Sequence, residues 1–234
     1  TAKAFGRFAY DLNDFDASQL VEVIPQFHDT RNRYRQLEEA IREDRVGRVK
    51  EVQEEIAFIQ NRKADCFLLY DLLDEGVLPL RVTHNDTKLN NIMFDSETKE
   101  PLCIVDLDTV MPGLALFDFG DSIRFGANDC AEDEPDLSKV NFDFDLYETY
   151  VKGFIEGTNG ILTESELEYL PWGARVITLE QGIRFLTDYI NGDVYYATTR
   201  PGQNLDRART QLKLVQDMEN VWDKMVEAVK NAQK

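Results

Sequence analysis

The chain has 234 residues, of which 43% are apolar and 11% aromatic, enough to bury the core of one domain or one large lobe. Its formal net charge of -18 argues against a nucleic-acid partner, because contacts to phosphates require clustered Lys and Arg. No apolar run approaches the roughly 18 residues of a membrane span and no charged-then-apolar leader opens the sequence, so we expect no membrane partner.

The acidic residues and the cysteines each allow two interpretations. The negative net charge is explained either by solubility or by attraction of a cationic substrate, and we favour solubility. The cluster Glu132, Asp133, Glu134 and Asp136 lacks the glycine and closing glutamate of a calcium loop, so we expect a solvated loop. Cys66, Cys103 and Cys130 are odd in number and lie partly in apolar runs, which favours reduced, buried thiols and a cytoplasmic location over a disulfide framework.

Helical periodicity dominates the chain outside one central segment. The predicted helices cover, in chain order, residues 31–43, 46–62, 66–73, 142–155, 163–190 and 205–229. Residues 89–94 and 102–107 are predicted as short strands around the polar turn 95–100. The last helix carries apolar residues at steps of three or four, which indicates core packing more than a partner groove. The predicted fold class is mainly α (α+β), with one short β-hairpin.

The central segment, Val82–Asp108, contains the most informative pattern. It reads V-T-H-N-D-T-K-L-N-N-I-M-F-D, then a turn, then P-L-C-I-V-D-L-D. His84, Asp86 and Asn91 match the intervals of the kinase signature H-R-D-L-x-x-x-N, in which Asp follows His by two and Asn by seven. Asp106 ends the second strand about twenty residues after Asp86, where kinases carry a metal-binding aspartate. The segment therefore predicts a phosphotransfer site.

Each residue of this pattern has a chemical role in the hypothesis. Asp86 would orient and deprotonate a hydroxyl, and Lys88 would neutralise the moving phosphoryl group, although a solvated lysine is the alternative. Asn91 and Asp106 would bind magnesium, which prefers oxygen ligands. Asp108 has two interpretations, a second metal or outer-shell water ligand and a strand-end turn. His84 is expected to pack beneath the loop and to bond backbone groups.

A second aspartate is a competing candidate for the metal ligand. Asp118-Phe119-Gly120 spells D-F-G, yet it comes about a dozen residues too late and follows no β-branched run. We therefore expect Asp118 to accept hydrogen bonds from backbone N–H groups of the catalytic loop, since a carboxylate in apolar surroundings needs such donors.

These motifs resemble the aminoglycoside phosphotransferase and choline kinase family of small-molecule kinases. The resemblance rests on H-N-D-T-K-L-N-N and V-D-L-D and covers about a tenth of the chain. Together with V-D-L-D-T-V-M-P-G and R-F-L-T-D-Y, it looks most similar to the N-acetylhexosamine 1-kinases of that family. The resemblance implies a protein-kinase-like C-terminal lobe, ATP and magnesium as cofactors, and a small-molecule acceptor. Phosphorylation of the anomeric hydroxyl of an N-acetylhexosamine is the first hypothesis; amino alcohols such as choline, aminoglycosides, or a binding module without turnover are the alternatives.

Substrate contacts are predicted from weaker signals. Arg184 would point into the cleft to bond sugar hydroxyls or an acetamide oxygen, with Tyr195 supplying a flat face; a surface pair between Glu180 and Arg184 is the alternative. Trp172 is expected in the core more than in a sugar stack. His28 is expected to be structural, with a place at the substrate rim as the alternative.

The family places its nucleotide under a β-rich N-terminal lobe with a phosphate-covering loop and a strand lysine. Before His84 the chain has no glycine cluster, and Lys3, Lys50 and Lys63 lie in helix-like or terminal sequence. We therefore expect residues 1–234 to form the C-terminal, substrate-binding lobe, with the N-terminal ATP-binding lobe absent and little activity from these residues alone.

Overall fold

The protein is mainly helical, with two short strand pairs. The computed structural model describes all residues, Thr1–Lys234. Its helices are α1 (Ala2–Asp11), α2 (Thr30–Glu43), α3 (Gln53–Gln60), α4 (Lys63–Asp74), α5 (Ala115–Gly126), α6 (Phe144–Thr158), α7 (Glu164–Asn191), α8 (Gln203–Asn220) and α9 (Trp222–Ala232). The antiparallel pairs are β1 (Arg81–Thr83) with β4 (Met111–Gly113), and β2 (Ile92–Phe94) with β3 (Pro101–Ile104). The mainly helical part of the predicted fold class is confirmed, and the strands form two antiparallel pairs where one hairpin was predicted. No helix is both long and apolar enough to cross a membrane.

The long helix α7 connects two parts of the core. It begins with a capping box, in which Thr163 Oγ1 accepts from Glu166 N (3.1 Å) and Glu166 accepts from Thr163 N (2.8 Å), and it ends at Gly192, whose φ is +98°. Its first half packs with α5 and α9, and its second half with α2, α3 and α8. Buried side chains from these helices fill both parts, including Phe119, Phe154, Leu170, Leu37, Ile59, Leu186 and Leu212. Each fully buried side chain of this size contributes about 1.5–3 kcal/mol.

Two predicted helices are broken in the structure. Residues 46–62 contain Gly47 in the left-handed region (φ +72°) and a 3-10 turn before α3 begins at Gln53. Residues 205–229 divide into α8 and α9, because Val221 leaves the helical region (φ -116°, ψ 18°). Helices α1 and α5 and the β1–β4 pair were not predicted.

The β2–β3 hairpin carries the segment that the sequence singled out. Ile92 pairs with Ile104 and Met93 with Cys103, so both predicted strands are present but shorter. Asp95 closes the turn by accepting from Glu97 N (2.9 Å) and Thr98 N (2.8 Å). Of the three free cysteines only Cys66 is buried; the expectation of burial was wrong for Cys103, which lies exposed on this hairpin.

Candidate active site

The catalytic loop, residues 84–91, follows β1 and is held in a fixed shape by buried polar contacts. Asn85 has a left-handed backbone (φ +65°), which turns the chain sharply, and its Nδ2 donates to Thr83 O (3.2 Å) and Thr109 O (2.9 Å). Thr109 Oγ1 in turn donates to His84 O at 2.7 Å. The side chain that follows this turn, Asp86, is therefore presented from a rigid backbone.

Asp118 of α5 supports the loop from below. Its two carboxylate oxygens accept from His84 N (2.8 Å) and Asn85 N (2.7 Å), the kind of donor that the sequence led us to expect. The carboxyl group is buried, and burial raises its pKa to about 6, although the two backbone donors act in the opposite direction.

His84 lies beneath the loop, fully buried. Its Nε2 lies 3.1 Å from Val105 O and its Nδ1 lies 3.3 Å from Asp86 N, so the ring donates to a carbonyl group and accepts from a backbone N–H. The rings of Phe5 and Phe8 in α1 meet it edge-on at centroid distances of 5.6 and 5.7 Å. This histidine fixes the backbone of Asp86 and is turned away from the cleft.

Asp86 is half-buried and contacts two other predicted site residues. Lys88 Nζ lies 2.9 Å from Asp86 Oδ1, and Asn91 Nδ2 donates to Asp86 Oδ2 at 3.0 Å and to Asp86 O at 2.8 Å. The structure thus brings Asp86, Lys88 and Asn91 together. In this arrangement Lys88 is paired with the proposed base, and 37% of its side chain is exposed to solvent.

The predicted metal ligands offer oxygen atoms that no protein group uses. Asn91 donates in both of its hydrogen bonds, which leaves Oδ1 free. A backbone hydrogen bond from Val105 N to Asn91 O (2.9 Å) joins the two strand ends, and Asp106 follows directly, exposed and in the left-handed region (φ +63°). Asp108 is also exposed, in the 3-10 turn Leu107–Thr109.

This donor set fits magnesium. No group of three His, Cys, Asp or Glu side chains is arranged to hold an ion by itself. Magnesium characteristically binds one or two protein oxygens and completes its shell with water and phosphate oxygens. Asn91 and Asp106 would hold such an ion, and the strained backbone of Asp106 is of a kind that clusters at functional sites.

A cavity of about 400 Å³ opens beside Asp86 and Lys88. It is bounded by residues from the catalytic loop, α5, α7 and α8, and by the segment before α2. Its charged lining residues are Asp86, Lys88, Asp121, Arg124, Glu132, Glu180, Arg184 and Arg207, and His28, Gln181, Phe27, Phe185 and Tyr196 also line it. We call this cavity the acceptor cleft.

Two predictions about the cleft need correction. Glu180 and Arg184 do not form a surface pair, because Glu180 is 1% exposed and pairs with His28 Nδ1 (3.0 Å) and Thr30 Oγ1 (2.6 Å). Arg184 does line the cleft, where it donates to Gln181 Oε1 at 3.1 Å. Tyr195 does not line it; this residue is 74% exposed, and its neighbour Tyr196 lies at the cleft wall instead. Trp172 is partly buried, packs with Trp222 against the core and does not line the cleft.

His28 is buried and also lines the cleft, so a structural role and a place at the rim of the cleft are compatible. Its Nε2 lies 3.1 Å from Asn85 O, one residue before Asp86. Burial lowers the pKa of His28, but the facing Glu180 carboxylate more than offsets this and the net pKa is raised. Burial raises the pKa of Glu180, and His28 reverses this to a net decrease. The two side chains are hydrogen-bonded at 3.0 Å, and each pKa shift favours the charged form of its side chain.

Sequence reasoning missed Asp121 and Arg124 and misjudged Glu132. Asp121 and Arg124 lie three residues apart in D-F-G-D-S-I-R, a spacing that would have indicated an ion pair if α5 had been predicted. The acidic loop is not simply solvated, because Glu132 pairs with Arg124, Asp133 with Arg200 and Glu134 with Lys139.

A mainly helical chain with Asp86 and Lys88 at the wall of a polar cleft, and Asn91 in contact with Asp86, has the features expected of a kinase-like phosphotransferase. Comparison with protein families agrees with this class. The model of the phosphotransferase enzyme family, APH, matches residues 2–149, more than half of the chain. The chain therefore belongs to the APH phosphotransferase family. The match includes the whole catalytic loop and hairpin, whereas Glu180, Arg184 and Tyr196 lie beyond it.

Proposed function

We propose that the protein transfers the γ-phosphoryl group of ATP to a hydroxyl of a small molecule, with magnesium, and that its acceptor is the anomeric hydroxyl of an N-acetylhexosamine. The observation that carries this proposal is the position of Asp86. Its carboxylate stands at the wall of the acceptor cleft, between Lys88 and the amide of Asn91. A hydroxyl group in the cleft therefore meets a fixed base.

Four residues take part in the transfer in this proposal. Asp86 accepts the proton of the acceptor hydroxyl and directs its oxygen at the phosphoryl group. Lys88 moves from Asp86 to the phosphoryl oxygens when nucleotide binds, where its charge stabilises the transition state. Asn91 and Asp106 hold the magnesium ion, which neutralises charge on the nucleotide phosphates when it is bound.

The lining of the acceptor cleft supports a neutral, hydroxyl-rich acceptor. Carboxylates and guanidinium groups nearly balance around it, so a polycationic aminoglycoside gains little from its charge. Choline-like cations need an open aromatic face. Here Arg184 already occupies that position, 5.4 Å from the ring centre of Phe27 and 5.8 Å from that of Tyr196. Aromatic walls with fixed polar groups suit a sugar and its acetamide.

Nucleotide binding is proposed to need a second, β-rich lobe. The four strands among residues 1–234 have only three or four residues each, and no glycine-rich loop covers the hairpin. Methionine and leucine side chains on and beside the hairpin are exposed, notably Met93, Leu102 and Leu107. We expect these residues alone to bind ATP poorly and to turn over very slowly.

An acceptor screen tests the proposal. Protein that carries both lobes is incubated with ATP, magnesium and, separately, N-acetylhexosamines, choline and aminoglycosides, and phosphate transfer is measured. We expect transfer to N-acetylhexosamines, with loss of the reducing end in the product because the anomeric hydroxyl is consumed. Transfer only to choline or aminoglycosides would overturn the acceptor assignment, and transfer to none of the three classes would overturn the proposed function.

A further inference from the structure

The loop between α5 and α6, residues 127–143, lies across α8 at the edge of the acceptor cleft. Its two ends meet, because Asp143 N donates to Ala127 O at 3.0 Å and Asn128 pairs with Phe142. Asp133 fixes the middle of the loop to α8, where its Oδ2 accepts from Gln203 Nε2 at 2.9 Å. The loop is thereby placed so that Glu132 enters the cleft lining.

From Glu132 a continuous series of polar contacts runs to the catalytic loop. Arg124 Nη1 donates to Glu132 Oε1 at 3.0 Å, and Arg124 Nε donates to Asp121 Oδ1 at 2.9 Å. Asp121 Oδ2 accepts from Thr87 N at 3.0 Å. Thr87 is the residue directly after Asp86, so one guanidinium group connects the cleft loop with the backbone that presents the base.

We propose that Arg124 is a positioning residue, which holds the backbone after Asp86 in place by fixing Asp121 and whose own orientation is set by Glu132 of the cleft loop. The proposal rests on the phosphotransfer function proposed above for this site. Arg124 is 8% exposed and Thr87 is fully buried, so neither group can exchange its protein partner for bulk water. The planar guanidinium binds two carboxylates at once, which an ammonium group cannot do in the same geometry.

The hydrogen bond from Thr87 N to Asp121 depends on the positive charge of Arg124. Burial raises the pKa of Asp121, and Arg124 is the main group that reverses this to a net decrease, which keeps the carboxylate ionised as an acceptor for Thr87 N. His28 and Lys88 act in the same direction as Arg124. The charged and titratable groups around the Asp121–Arg124 pair are His28, Lys88, Asp118, Glu132, Tyr150 and Arg207.

The test compares Arg124→Met, Arg124→Lys and Glu132→Gln with the unchanged protein, all with the nucleotide-binding lobe present. We expect Arg124→Met to lower kcat by about 10- to 100-fold with little change in KM for ATP, since small misplacements of a catalytic group cost rate on this scale. In a plot of kcat against pH, the acid limb should move to higher pH in Arg124→Met, because Asp121 loses the neighbouring positive charge that keeps it ionised. Arg124→Lys should restore the acid limb but only part of kcat, and Glu132→Gln should lower kcat by less than Arg124→Met does.

Arg175→Met is the matched control. Arg175 is another largely buried arginine between two carboxylates, 2.6 Å from Asp65 and 2.7 Å from Glu219, but it does not line the cleft. We expect it to lower stability without moving kcat of the folded protein or the acid limb. If Arg124→Met keeps kcat and the acid limb, or if Arg175→Met changes them equally, the positioning role is wrong.

Amide hydrogen exchange separates this inference from the proposed function. In Arg124→Met and in Arg124→Lys, exchange at the Thr87 amide should be faster, by about tenfold or more for the methionine variant, because its acceptor is no longer held. If the unchanged protein transfers phosphate to no acceptor but Thr87 exchange responds in this way, the proposed function fails and the structural link stands. Unchanged exchange at Thr87 in both variants overturns the inference whatever the activity.

Discussion

Asp106 and Asp118 are two aspartates at the same site with opposite surroundings. Asp106 is exposed, and its side chain makes no hydrogen bond or ion pair with the protein, which leaves it available to an ion. Asp118 is buried, and both of its oxygens hold backbone N–H groups of the catalytic loop. We therefore propose that Asp118 stabilises the loop and that Asp106 binds the ion.

Alanine substitutions should distinguish metal binding by Asp106 from support of the loop by Asp118. We expect Asp106→Ala to abolish phosphate transfer or to raise the magnesium concentration that it requires, with the unfolding free energy unchanged. Asp118→Ala leaves two buried N–H groups without acceptors and should lower the unfolding free energy by about 2 kcal/mol or more, at about 1–3 kcal/mol per unsatisfied group. Magnesium titration of activity and urea denaturation measure the two effects. The reverse pattern would mean that Asp118 is the metal ligand.

The buried pair of His28 and Glu180 predicts a pH-dependent contribution to stability. Because the pKa of His28 is raised in the fold, protonated His28 stabilises the folded chain below its ordinary pKa of 6.5, and the stabilisation is lost as pH rises through the raised value. Because the pKa of Glu180 is lowered, its contribution is present above its ordinary value of 4.5 and is lost as pH falls through the lowered value.

His28→Gln tests this pair. At pH 6 we expect a loss of about 3 kcal/mol of unfolding free energy, the scale for breaking a buried ion pair, and a smaller loss at pH 9. Urea denaturation at both values gives the comparison, and Arg42→Gln, which removes an exposed pair with Glu39, is the control with little effect at either pH. An equal loss at both values would show that His28 is not charged in the fold.

At the scale of elements, the close crossing of α5 and α7 places Asp118 and Asp121 beneath the catalytic loop. Gly120 and Gly173 make this crossing possible, because a methyl group at Gly120 would overlap the carbonyl oxygen of Gly173 and one at Gly173 would overlap that of Leu116. Gly126 lies in the same helix, and the nearest atom to an added methyl group there is Leu146 Cδ2 at 3.9 Å.

Alanine substitutions at the two glycines of α5 should therefore have different effects on the unfolding free energy. Gly120→Ala must separate two helix backbones, so we expect a loss of about 1–3 kcal/mol or more of unfolding free energy. Gly126→Ala should be neutral or stabilising by up to about 1 kcal/mol, because alanine favours the helix. Thermal denaturation of both variants checks this. Equal stability of the two variants would show that the α5–α7 distance is not limited by these glycines.

The elements that sequence reasoning found are those with local signals. Helix α7 has a capping box and a terminal glycine, and the β2–β3 hairpin has apolar runs around a polar turn. Helices α1 and α5 were missed because close helix contacts through Gly6 and Gly120 determine them, and glycine lowers the local helical signal. The break at Val221 was missed because the apolar pattern continues across it.

At the scale of the whole molecule, the site combines one local pattern with contacts from distant segments. His84, Asp86 and Asn91 lie on one loop, so their spacing alone was enough to predict them as a group. The cleft wall comes from the segment before α2, the loop 127–143, and helices α7 and α8, up to 152 residues apart for His28 and Glu180. No sequence interval records those contacts, which is why Tyr195 was chosen over Tyr196 and Arg124 was missed.

Asp86 is proposed to be the base of a phosphotransferase. The decisive measurement is the turnover number of Asp86→Asn for phosphate transfer to the preferred acceptor, in protein with both lobes. The control is Asp95→Asn, which changes a turn aspartate of the β2–β3 hairpin. We expect Asp86→Asn to reduce turnover by about 100-fold or more, the usual scale for a positioned acid-base group, while Asp95→Asn stays close to the unchanged protein. Turnover by Asp86→Asn at the unchanged rate would contradict the account.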